Sequence, residues 1–397
     1  MFVLSGGRVL SGDGVVCDGS LLVRNGRIEG ILPDSAAAPD GARVLDVGGA
    51  LILPGIIDLH GDAFERQLMP RPDVHMPMAV ALMETDRQML ANGITTAYHG
   101  LTWSWEPGLR GREAARTFIA ELARLRPHLG CDTRLHLRHE IANLADEPEL
   151  TALLASGQVD LLAFNDHIDS IRRSLDKPGK AGAYAARTGL TVPALYALID
   201  SLLEQRSEWI PSQARLAAVA AEHGVAMASH DDPSPAFRQE MQAMGCTISE
   251  FPLDAETARA ARDMGSPVVL GAPNILRGGS HCGRLNAAEA IGAGLGTVLT
   301  SDYYYPALLL AAFRLAQDGV CYLPDAWGLV SWNAADAAGL TDRGRIAPGL
   351  RADLTVVDDS LPECPRVQAT FVNGHCLFNA LGLRAQSVSG KTAVAAA

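Results

Sequence analysis

The sequence predicts an α/β protein: a parallel (β/α)8 barrel carrying one small β-sheet assembled from both chain ends. Three observations predict it. Apolar, β-prone runs alternate with helical ones through the middle of the chain. Several of these runs close on a polar residue, at the strand ends where a (β/α)8 barrel gathers its reactive groups. Both chain ends are rich in short alternating strands punctuated by Asn-Gly turns.

At the N-terminal end, "FVLSGGRVL" and "GSLLVRNGRIEGIL" alternate apolar and polar residues, and Asn25-Gly26 is a hairpin signal. The far end mirrors this with "GRIAPGLRADLTVVD" and "ATFVNGHCLF", where Asn373-Gly374 marks another turn. One small β domain over 1–54 and 345–384 is therefore expected, with the barrel over 55–344. Residues 385–397 are small and polar without an apolar period, and are expected to form a disordered tail.

Strands are predicted near 56–60, 94–99, 133–139, 159–165, 225–229, 246–251, 267–271 and 297–301. Helices fit 79–92, 111–127, 212–223, 235–244, 254–264, 285–294 and 306–316. An open doubly wound sheet has the same local pattern, but no G-x-G-x-x-G follows the first strand. The stretch 168–211 is long for a βα connection and holds "DKPGKAGAYAARTG", so it reads as a mobile loop or lid followed by a helix.

The composition narrows the function classes. The chain has 397 residues, 48% hydrophobic and 20% charged, as in an ordinary folded protein. Its 33 basic and 45 acidic residues leave a net charge of −12, which argues against nucleic acid and anionic membrane as partners. No apolar run approaches the roughly 18 residues that suggest a membrane span. The N-terminus lacks the basic region of a signal peptide. Seven cysteines without a C-x-x-C pair suggest reduced thiols and a cytoplasmic protein; a homo-oligomer is open.

Six side chains at strand ends carry the chemistry: His60 and Asp62 in "LHGD", Glu140 in "LHLRHE", His167 in "FNDHID", His230 in "MASHDD" and Asp302 in "LTSDYYYP". A strand period of two puts His60 and Asp62 on one face. Glu140 reads either as a bridging ligand or as the partner of Arg138 or Arg134, and His136 and His139 are rival donors. His167 reads as a ligand or as half of a pair with Asp166. The mixed nitrogen and oxygen set suits two divalent ions, zinc first, with manganese or iron as alternatives. Two such cations lower the pKa of a shared water, and Asp302 is the expected catalytic proton acceptor.

An anionic substrate needs a local positive site against the net charge. "NILRGGSHCGR" offers Arg277, Gly278, Gly279, Ser280, His281 and Arg284, with glycines whose N–H groups would form an anion nest and arginines suited to phosphate. Arg66 and Arg71 follow the His60–Asp62 pair. His99, Trp103 and Trp105 lie in "AYHGLTWSWEPGLRG" and would instead frame a ring or amide.

The segments "LPGIIDLHGD", "PRPDV", "GITTA", "LHLRHE", "ASHDD", "GAPNILRGGSHCG" and "SDYYYP" resemble the PhnM family of the amidohydrolase superfamily over nearly the whole chain. The resemblance implies a distorted (β/α)8 TIM barrel with a small β-sandwich domain built from both chain ends, and a metal-dependent hydrolase of phosphonate catabolism that splits α-D-ribose 1-methylphosphonate 5-triphosphate into the 5-phosphate and pyrophosphate. It also implies His60, Asp62, Glu140, His167, His230 and Asp302 as ligands, with Glu140 in the place of a bridging carboxylated lysine. Gly61 departs from the Thr usual in that family. The competing reading is a C–N hydrolase of the same superfamily, a deaminase or cyclic amidase, using the same metal logic.

Overall fold

A computed structural model describes residues 1–33, 35–71, 74–279, 284–380 and 385–386. Eight parallel strands run in sequence order around one sheet: Ile56–Gly61, Ile94–Trp103, Asp132–Glu140, Leu161–Asn165, Ala226–His230, Ile248–Glu250, Val268–Gly271 and Val298–Thr300. They are called here the first to eighth barrel strands. Each predicted strand has its counterpart, displaced by a few residues at most.

The eighth strand returns to the first. Gly61 and Asp302 form a parallel bridge. The Asp62 amide donates to the Asp302 carbonyl at 2.9 Å, and the Asp302 amide donates to the His60 carbonyl at 3.0 Å. Beneath this seam Asp58 accepts from Thr300 Oγ1 at 2.6 Å, from Ser301 Oγ at 2.5 Å and from the Ser301 amide at 3.0 Å. A barrel closed this way needs no solvated edge. Its floor is packed by Leu59, Tyr98, Ala163, Ala228, Ile248 and Val269, all buried.

The second sheet takes strands from both ends. Leu354–Asp358 pairs antiparallel with Leu51–Pro54, and Phe2–Leu10 joins Leu51–Pro54 to the N-terminal hairpin. Both Asn-Gly turns form as read, with positive φ at Asn25, Gly26, Asn373 and Gly374. Leu4, Val9, Leu21, Ile52, Leu354, Val356 and Phe371 close a core drawn from both ends of the chain. The tail expected over 385–397 starts differently: Ala385–Gln386 pairs antiparallel with Arg43–Asp46. Residues 387–397 lie outside the described residues.

The mobile loop expected over 168–211 is replaced by helices Ile168–Leu175, Lys180–Thr188 and Val192–Glu204, ahead of Arg206–Glu222. Ile168, Ile171 and Leu175 recur at helical spacing and are buried, as are Leu195 and Ile199. Thr191 caps the third of these helices, accepting from the Ala194 amide at 3.3 Å. The Gly and Pro signals mark the joints between short helices, not a loop. Among the described residues no helix is long and apolar enough to cross a membrane.

Candidate active site

The third strand sets the geometry by alternation. His136, Arg138 and Glu140 face the barrel interior, while Leu135 and Leu137 pack into the helical layer. His139 turns outward against Phe164, ring centroids 6.3 Å apart. Arg138 donates to Asp62 Oδ2 at 3.2 Å. Glu140 pairs with neither Arg138 nor Arg134; its Oε1 lies 2.5 Å from His167 Nδ1.

Two groups of donor atoms meet at the strand ends. His60, Asp62 and Asp302 each offer an atom within 4.8 Å of the others, and so do His167, His230 and Asp231. A third group lies deeper and consists of His60, His136 and Glu250. Glu250 closes the sixth strand and is fully buried. Its Oε2 lies 3.2 Å from His60 Nδ1, 3.3 Å from His230 Nδ1 and 3.7 Å from His136 Nε2. His136 donates from Nδ1 to the Leu59 carbonyl at 3.0 Å, so its neutral Nε2 presents a lone pair to the carboxylate.

The electrostatics match this crowding. Burial lowers the pKa of His60 to about 4 and of His136 to about 3, so both imidazoles are neutral at pH 7. Burial alone would raise Glu250, but the Nδ1–H groups that His60 and His230 donate to it hold it well below the usual carboxylate range. A carboxylate can only accept, so His60 and His230 donate from Nδ1, and the neutral His60 ring keeps a lone pair on Nε2. Burial, with the neighbouring Asp62 charge, raises Asp302 to about 7. Burial lowers His167, yet the Glu140 and Asp231 carboxylates outweigh it and raise the ring to about 9.

This donor set fits divalent cations. Imidazole nitrogens and carboxylate oxygens converge, and His136 Nε2 and Glu250 Oε1 are buried without a hydrogen-bond partner among the described residues. The backbone is also specialised here. Asp231, Phe251 and Asp302, each just past a strand end, hold φ of 56°, 54° and 53°, a region that non-glycine residues rarely adopt. Gly61 sits where an added Cβ would come 2.7 Å from Asp58 Oδ2, a physical reason for its lack of a side chain.

A cleft opens above these groups, lined in part by His60, His230, Asp302, Arg138, Arg277 and Arg284. Arg284 donates to Asp231 Oδ2 at 2.7 Å, and Arg277 Nη1 lies 3.5 Å from the Tyr303 hydroxyl. Arg66 reaches the Tyr303 carbonyl and lies over its ring.

Several expected substrate contacts are placed otherwise. Gly278 and Gly279 line the turn after helix Ala272–Leu276, but their N–H groups donate to the Ile275 and Asn274 carbonyls at 3.1 and 2.9 Å. That is a helix C-terminal cap, so the two amides are not free to make an anion nest. His99 is buried among Phe64 and Phe118, in the layer between barrel and helices. Arg71 is exposed and lies outside the cleft lining. Ser280 and His281 lie outside the described residues.

No family model matches the chain. The chain is 35% identical to the α-D-ribose 1-methylphosphonate 5-triphosphate diphosphatase of Escherichia coli K12 over 347 residues, 86% of this chain and 91% of the relative. The chain belongs to this diphosphatase family. It is a hydrolase. A more distant relative, an imidazolonepropionase of Cereibacter sphaeroides, is 26% identical over 91% of this chain and 94% of its own. The fold matches the crystal structure of an amidohydrolase with a TM-score of 0.65 at 18% identity, over 96% of this chain and 99% of that one.

Within this diphosphatase family member, the features that would have favoured C–N chemistry do not face the cleft. Trp103 is buried and donates from Nε1 to Asp146 at 2.8 Å, and Trp105 packs against the helical core. The residues that sequence reasoning passed over are Glu250, His136 as an inward neighbour of His60, and Asp231. Glu250 carried the same signal that singled out Asp302, a carboxylate closing an apolar strand. Period two along the third strand already put His136 on the face of Glu140.

Proposed function

We propose that the protein hydrolyses the phosphoanhydride bond between the α and β phosphorus atoms of a sugar triphosphate and releases pyrophosphate. The observation that carries this is the meeting, in one cleft, of His60 and Asp302 from one donor group and His230 and Asp231 from the other with Arg138, Arg277 and Arg284. The activity named for the relative that is 35% identical supports it. The substrate would then be α-D-ribose 1-methylphosphonate 5-triphosphate and the setting phosphonate metabolism.

His60, Asp62 and Asp302 would hold one divalent cation, and His167, His230 and Asp231 a second, with zinc the first choice by donor type. Cations bound there supply positive charge for the phosphoryl oxygens and acidify a water at neutral pH. Glu140 then serves His167 from behind, fixing the ring through Nδ1. Asp302 takes the proton of the attacking water on a carboxylate oxygen and passes it to the departing phosphate oxygen. Arg277 and Arg284 orient the anionic chain.

The six described cysteines are free, which supports a reducing, cytoplasmic setting. Exposed Val74, Met76 and Val80 favour a self-association face and hence a homo-oligomer.

The deciding assay reconstitutes the protein with zinc or manganese and follows pyrophosphate release from the ribosyl methylphosphonate triphosphate. Release is expected to depend on added metal and to fall about 10²–10⁴-fold in D302N. A metal-loaded protein that releases none would overturn the reading.

A further inference from the structure

The Arg284–Asp231 pair divides the cleft from a second chamber of about 240 Å³, which also touches His230. Its wall adds buried neutral amides to the charged groups. Asn165 closes the fourth barrel strand, is 1% exposed, and finds no partner for Nδ2 or Oδ1 among the described residues. Gln213, on helix Arg206–Glu222, is 2% exposed with Oε1 likewise unpartnered, and its Nε2 reaches only Met241 Sδ at 3.4 Å. Asp166 adds a carboxylate, while Phe237 and Leu253 supply apolar surface.

A buried amide left without partners costs free energy, so such groups persist where something fills their place. An amide offers both donors and an acceptor, which suits a hydroxyl that also does both. The apolar surface suits the C–H face of a ring. Asp166, Asp169 and Asp231 line this space against His167, Arg173 and Arg284, so its charges balance and it holds no excess of cations for a phosphate chain.

We propose that this chamber takes the sugar ring of the substrate, with Asn165 and Gln213 reading its hydroxyl groups while the phosphates lie on the Arg277 side of the Arg284–Asp231 pair. This rests on the sugar-triphosphate reading above, and it adds a neutral polyol subsite to the phosphate-binding cleft.

The test titrates metal-loaded protein by calorimetry with ribose 5-phosphate and, separately, with pyrophosphate. Asn165→Ala is expected to weaken ribose 5-phosphate at least tenfold and to leave pyrophosphate affinity and metal content within twofold of the parent. Gln213→Ala should lose less in the same direction. Asn165→Asp, which keeps shape and acceptors but loses the donors, covers the case in which the alanine variant does not fold. Unchanged ribose 5-phosphate affinity in all folded variants means that the chamber holds ordered water only, and overturns the proposal. A parent protein that binds pyrophosphate but not ribose 5-phosphate also overturns it and leaves the hydrolase reading standing. Loss confined to ribose 5-phosphate in a protein that releases no pyrophosphate keeps the chamber and sinks the hydrolase reading.

Discussion

His60 and Glu250, 190 residues apart in the chain, meet in the barrel with Nδ1 3.2 Å from Oε2. The same oxygen lies 3.3 Å from His230 Nδ1, so one buried carboxylate orients a histidine from each of the two proposed cation positions. Partners of this kind fix the tautomer and typically contribute 10–100-fold in metal affinity or activity. Glu250→Gln is therefore expected to lower bound metal at both positions, read by elemental analysis after dialysis. Full occupancy at parental affinity would mean that Glu250 does not orient the ligands.

Arg277 and Arg284 are expected to act differently when each is removed. Among the described residues Arg277 has its hydrogen bond with the Tyr303 hydroxyl, at 3.5 Å, so Arg277→Ala should raise KM about 10-fold or more with little change in kcat. Arg284 also neutralises Asp231, so Arg284→Ala should change kcat and metal affinity as well. The double variant should abolish triphosphate turnover. Steady-state kinetics separate these outcomes, and retained turnover in the double variant would remove the phosphate from this cleft.

The pair of His167 with Glu140 makes the metal-free protein sensitive to alkaline pH. The folded ring titrates at about 9 against an ordinary value of 6.5. The pair's stabilisation is thus fully present below pH 6.5 and is lost as pH rises through about 9. Thermal melts of metal-free protein should show Tm falling over that window, and His167→Gln should flatten the fall. A parental slope in the variant would assign the sensitivity to other groups.

Asp58 holds the barrel seam through three hydrogen bonds to Thr300 and Ser301. Burial raises its pKa despite those bonds. Asp58→Ala strands the Ser301 hydroxyl and amide, while Thr300 Oγ1 keeps the His60 carbonyl at 2.6 Å, at about 1–3 kcal/mol for each group left unsatisfied. Chemical denaturation should show a stability loss of that order, with a lowered midpoint and an unchanged m-value. A loss within about 0.5 kcal/mol, the range of an ordinary surface substitution, would mean that the seam does not depend on Asp58.

The sequence by itself determined the barrel, the Asn-Gly hairpins at both ends and the strand-end placement of His60, Glu140, His167, His230 and Asp302. Those features are local: an apolar run, its length and the polar residue that closes it follow from backbone period and burial. Only the tertiary structure decided which polar groups meet. Both faces of a barrel strand are covered, so alternation separates two faces without saying which one looks inward. His99 was therefore read toward the cleft although it packs on Phe64 and Phe118, and Glu250 was passed over although three imidazoles surround it. The glycines after Arg277 read from sequence as an anion nest, and the structure makes them a helix cap. The nearby carbonyls of Asn274 and Ile275 settled which donors they satisfy. Pairings across a closed barrel depend on where the eighth strand returns to the first, and that distance is set by the fold as a whole.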